Sequence, residues 1–85
     1  MKYGISYWAK TQGGKDMGGG YAHVEAVDAL AAVASLVSEK LVVFEAPRGH
    51  LVINAVDILD AENHILSSLD PESVTAGIKG AVTEE

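Results

Sequence analysis

The sequence predicts a small α+β domain: an antiparallel sheet of two hairpins in ββαββ order, packed on one main helix and followed by a short C-terminal helix. Three observations carry that prediction. Two stretches near the N-terminus alternate apolar and polar residues, one strongly helical segment follows them, and β-branched runs punctuated by turn residues come after it.

Lys2 to Thr11 alternates, with Tyr3, Ile5, Tyr7 and Ala9 on one side and Lys2, Gly4, Ser6, Trp8 and Lys10 on the other, the pattern of a half-buried strand. Trp8 falls on the polar side. Either it packs across a neighbouring strand, or it anchors an interface, where tryptophan is enriched. Residues 12–20, QGGKDMGGG, hold five glycines in nine positions, which predicts a mobile connection rather than regular structure. Tyr21 to Ala26 alternates again, Tyr21, His23 and Glu25 against Ala22, Val24 and Ala26, so the first two strands form a hairpin with the glycine segment at its tip and the small residues toward the helix.

Val27, Leu30, Val33, Ala34 and Val37 recur at spacings of three and four, one face of a helix that begins near Val27 or Asp28 and ends near Lys40. An aspartate suits the amino end and a lysine the carboxyl end. Leu41 to Ala46 then reads as a strand, the Pro47-Arg48-Gly49 turn follows, and Leu51 to Asn54 returns as the second hairpin. From Asn54 to Leu69 two readings compete: a helix with Ala55, Leu59, Leu66 and Leu69 on one face, or an extended chain broken by turns at Val56-Asp57 and Glu62-Asn63. A turn at Ala55 to Leu59 and a strand at His64 to Ser67 is preferred, because it keeps the hairpin register. Asp70-Pro71-Glu72 places an N-cap, a first-turn proline and a first-turn acid at the start of a short helix reaching about Ile78. Residues 81–85 are expected to fray.

Eighty-five residues, without cysteine, make one domain (1–85) of modest core, much of it Ala and Val. Such a domain buries only about 60–65% of its unfolded surface, so a homo-oligomer, most simply a dimer, is expected. No disulfide or thiolate metal site supplies the missing stability. With no signal-like leader and no long apolar run, a cytoplasmic protein without membrane partners is expected. Twelve acidic and six basic residues give a net charge of −6, which repels phosphate backbones and argues against general nucleic-acid binding.

Chemistry-bearing residues are sparse. The glycine segment offers backbone amides that a nest would aim at an anion, and Lys10, Gly13, Gly14, Lys15, Gly18, Gly19, Gly20 and Arg48 form the candidate site for an anionic nucleotide. It is not a Walker A sequence, since no GK[ST] opens a helix, and a plain hairpin tip has the same composition. Of the histidines, His23, His50 and His64 belong to different elements, and His23 is most simply an outer-face strand residue. Only a helical 55–69 would set Asp57, Asp60 and His64 on one face with ligand-like spacing, a pattern that a solvated helix face also produces. Glu45, Asp57, Asp60 and Glu62 qualify as acid-base groups by type alone, and no nucleophile motif is present, so neither an enzyme nor a metal or other cofactor is expected.

Two function classes remain. One is a non-enzymatic protein-interaction module with Tyr3, Tyr7 and Trp8 as aromatic anchors, acting as an inhibitor of a larger complex in the manner of small acidic accessory proteins of phages and bacteria. The other is a binder that sequesters an anionic nucleotide at a subunit interface through the glycine segment.

Overall fold

The computed structural model describes residues 1–11, 13, 15–43 and 49–83, with only the backbone course for 41–43. The elements run β1 (Lys2–Lys10), β2 (Asp16–Glu25), α1 (Ala29–Val43), β3 (His50–Leu59), β4 (Ile65–Leu69), α2 (Pro71–Thr75) and β5 (Ala81–Val82). One sheet has the order β2-β1-β3-β4, and β5 joins β3 in parallel beyond the end of β4. The ββαββ order of an α+β domain is therefore present, with β1 and β3 at its centre.

Alternation explains β1. Tyr3, Ile5, Tyr7 and Ala9 are buried on the helix side, where they join Ala32, Val33, Leu36 and Val37 of α1 and Leu51, Ile53 and Val56 of β3 in one core. Ala22, Val24 and Ala26 pack partly against the same core, so the small residues of β2 do face the helix. In β3 the alternation changes phase. Ser6 pairs with Ala55 and Tyr7 with Ile53, leaving Asn54 as an extra residue in a β-bulge. Leu51 and Ile53 before it and Val56 and Ile58 after it consequently point to one side.

Several expectations change. The first connection is shorter than 12–20, because Asp16 to Gly20 already belongs to β2 and pairs with β1 up to Lys10. Glycine lowers strand propensity without forbidding it, and a ready-made partner strand supplies the ladder. Leu41 to Val43 continues α1 rather than opening a strand, while 44–48 lie outside the described residues. The second hairpin is thus β3–β4, and Ala55 to Leu59 is strand rather than turn or helix. Its turn includes Asn63 in the left-handed region (φ 68°), at the expected Glu62-Asn63 position.

Helix α1 also presents a different face from the expected one. Val33 and Val37 are buried as expected, but Val27 is 85% and Leu30 52% exposed, Ala34 is exposed, and Ala32 and Leu36 take their place. The segment is apolar nearly all round, so its periodicity is weak and the sheet chooses the side. Asp28 Oδ1 accepts the Ala31 amide at 2.7 Å, the N-cap foreseen for this helix. Asp70 likewise accepts the Glu72 amide and caps α2. Ala81 and Val82 do not fray: Leu51 N donates to Gly80 O at 2.8 Å, and Ala81 is buried. No helix among the described residues is long and apolar enough to cross a membrane.

Candidate functional site: the open face of the sheet

Both helices lie on one side of the sheet, and among the described residues no element covers the other. That open face carries the second half of every alternation: Lys2, Gly4, Ser6, Trp8 and Lys10 from β1, Tyr21 and His23 from β2, Val52 and Asp57 from β3, and Ser68 from β4.

Two aromatic side chains lie flat across glycines on this face. Tyr21 is opposite Ser6, yet its ring reaches diagonally over Gly4, where a Cβ would collide with Oη, Cζ and Cε1. Trp8 is opposite Gly19 and covers it, so a Cβ there would strike the indole and the Tyr7 carbonyl. The glycines let the rings settle against the backbone, while Trp8 stays 41% and Tyr21 47% exposed. His23 meets the Tyr21 ring edge to face, with centroids 5.6 Å apart.

The position of Tyr21 is fixed by a hydrogen-bonded chain across the sheet. Its hydroxyl donates to Asp57 Oδ2 at 2.8 Å, and Ser68 Oγ donates to Asp57 Oδ1 at 2.7 Å. Asp57 is buried, so these two donors satisfy a carboxylate that would otherwise be costly to bury. Burial, the hydrogen bond to Asp57 and the charge of Asp57 together push the Tyr21 hydroxyl above its usual pKa. The hydroxyl keeps its proton on the bond to Asp57, and that bond clamps the ring in place.

Next to Trp8 is a cavity of about 260 Å³ lined by Trp8, Lys10, Asp16, Val52 and Asn54. Lys10 Nζ and Asp16 Oδ1 lie 3.6 Å apart at its edge, a solvent-screened pair worth little stability. Asn54 reaches this rim because the bulge displaces it from the ladder.

Of the expected anchors, only Trp8 is on the open face. Tyr3 (3% exposed) and Tyr7 (9%) belong to the core, because their shared phase in β1 is the helix side. Lys40 Nζ sits 5.7 Å from the Tyr7 ring centroid, so the end of α1 also covers that residue. Tyr21, Asp57 and Gly4 were missed as a unit. The available signal was Gly4 itself, since a lone glycine inside an alternating strand marks a close approach.

Among the described residues, those expected to cradle an anion do not converge as a nest. Gly18, Gly19 and Gly20 are strand residues, Lys10 is engaged with Asp16, and Lys15 and Thr11 close the connection on themselves. Thr11 N donates to Lys15 O at 2.9 Å, and Lys15 N donates to Thr11 Oγ1 at 3.1 Å. Gly13 is in that turn, and Gly14 and Arg48 lie outside the described residues.

Asp60 and His64 do meet, through the β3–β4 turn rather than a helix, and Glu62 joins them while Asp57 does not. His64 Nδ1 is 3.4 Å from Asp60 Oδ2 and 3.7 Å from Glu62 Oε2. Asp60 Oδ1 accepts the Glu62 and His64 amides, each at 2.8 Å, and those bonds hold its carboxyl below the usual range. The trio has the geometry of a side-chain-capped turn. His23 and His50 are elsewhere on β2 and β3. Comparison with protein-family models, with curated proteins and with solved structures found no match.

Proposed function

We propose that this protein is a non-enzymatic interaction module whose working surface is the open face of the sheet, centred on Trp8 and Tyr21. The observation that carries the reading is the pair of half-exposed rings laid over Gly19 and Gly4, one of them clamped through buried Asp57. A partner meets aromatic area whose conformational freedom is already restricted, which lowers the ordering cost of association. The cavity beside Trp8 offers a recess for one side chain of that partner. A net charge of −6 favours a partner with a basic surface and an association rate that falls with salt.

Acid-base chemistry finds less support in this arrangement. Asp57 divides its two carboxylate oxygens between the Tyr21 and Ser68 hydroxyls, and the Tyr21 proton is held more tightly than usual.

The test places a photo-crosslinking residue at Ser6 on the open face and, as a control, at Ser35 on the exposed side of α1. A partner that crosslinks in the native host from Ser6 only, and is lost in Trp8→Ala while melting is little changed, supports the module. No Trp8-dependent partner, together with a thermal shift on adding nucleotide, overturns it in favour of a ligand binder.

A further inference from the structure

We infer that β2 is a self-pairing edge, so that two copies join antiparallel through Gly19 to Glu25 and their sheets and open faces become continuous. The two outer edges of the sheet differ. A free strand edge invites pairing, and folded proteins blunt it with short length, proline, lysine or a covering element. The opposite edge, β4, is five residues long, and β5 pairs with Leu51 and Val52 on the same side of β3. β2 is ten residues long, lacks proline, lysine and arginine, and carries acidic charges only at its two ends, Asp16 and Glu25. Among the described residues nothing pairs with its outer side.

The hydrogen-bond phase says which groups are free. Met1 and Ala26 exchange both backbone bonds, each 3.0 Å. Antiparallel ladders alternate bonded and unbonded pairs, so Tyr3–Val24, Ile5–Ala22, Tyr7–Gly20 and Ala9–Gly18 exchange bonds as well. The amides and carbonyls of Gly19, Tyr21, His23 and Glu25 therefore point away from β1. These four residues are also the ones whose side-chain positions lie on the open face.

The bulge at Met17, between the Ala9–Gly18 and Lys10–Asp16 pairs, ends the regular edge at that side. The regular stretch Gly19 to Glu25 is centred on Ala22, which fixes the self-complementary register: Ala22 on the two-fold axis, Tyr21 opposite His23 of the second copy, and Gly19 opposite Glu25. No like charges face each other in this register, because Glu25 stands opposite Gly19 and Asp16 lies beyond the bulge, outside the paired stretch. It sets His23 of each copy beside the Tyr21 position of the other on the open face, while the Tyr21 ring keeps its place over Gly4. It also brings exposed Val27 to the level of exposed Met17 at each end. An isologous contact of this kind closes as a dimer and leaves no free β2 edge.

The test is made on the protein alone, so it stands apart from the search for a partner. Light scattering should return twice the 8.9 kDa chain mass. His23→Pro and His23→Lys should each return one chain mass with unchanged circular dichroism, because the His23 amide takes no part in the β1 ladder. With two variants, failure of the proline form to fold leaves the lysine form to be read. Since the chain lacks cysteine, Ala22→Cys gives a register readout: unbonded antiparallel pairs have Cα atoms ~4.5 Å apart, within disulfide reach. Oxidised glutathione should link two Ala22→Cys copies, taking up the two hydrogens as reduced glutathione, while Val24→Cys should link poorly. A wild-type mass of one chain, a dimer that survives both His23 variants, or equal crosslinking at the two cysteines would overturn the inference.

Discussion

Gly4 and Tyr21 behave as one unit, because the ring occupies the space that any Cβ at position 4 would need. Gly4→Ala is expected to cost about 1–3 kcal/mol by overpacking, and much less in a Tyr21→Ala background; a double-mutant cycle in urea measures that coupling. Tyr21→Phe, which leaves Asp57 with Ser68 alone, should cost about 1–2 kcal/mol. A raised Tyr21 pKa also fixes a sign. Folding favours the protonated phenol, so its contribution is complete below the ordinary tyrosine pKa of 10.0 and is lost as pH climbs through the higher folded value. Denaturation midpoints should fall on that alkaline limb in the parent and be flatter in Tyr21→Phe. Asp60 works in the other direction: its lowered carboxyl stabilises above the ordinary aspartate pKa of 3.8 and loses that contribution as pH drops through the folded value. Asp60→Asn should flatten the acid limb. From sequence, Trp8 was legible as a residue on the wrong side of its strand, whereas the clamp was not, because Tyr21, Gly4, Asp57 and Ser68 come from four strands and meet only through register.

Helix α1 tests what periodicity settles at the scale of an element. Leu36→Ala should cost about 2–4 kcal/mol through a core cavity, and Leu30→Ala, half-exposed, should melt within about 0.5 kcal/mol of the parent. Equal losses in chemical denaturation would mean that the helix sits in another rotation. The existence of this helix and its aspartate cap were legible, because both are local. Its buried face was not: with Ala and Val on nearly every side, only the sheet decides between Leu30 and Leu36. β3 failed for a related reason. The bulge at Asn54 changes the alternation phase halfway along, so ten residues of one strand read as two fragments. Leu41 to Val43 failed because β-branched residues favour strands only weakly against the continuation of a packed helix. Asp70-Pro71 succeeded because capping chemistry acts within one turn.

For the whole molecule, twelve acids against six bases set a long-range repulsion that a few exposed ion pairs do not offset. Adding moderate salt should therefore raise the melting temperature; a fall would show that the surface pairs outweigh the repulsion. Folding order is written into the sheet by β5. Leu51 and Val52 of β3 pair with Ala81 and Val82, in parallel and far along the chain. During synthesis, at roughly 5–20 residues per second, β3 emerges a few seconds before the strand that completes it. Over that interval a nascent chain exposes the Leu51–Val52 backbone of its central strand, so the time of greatest risk of mispairing is set by translation speed across residues 53–80 rather than by the stability of the finished domain.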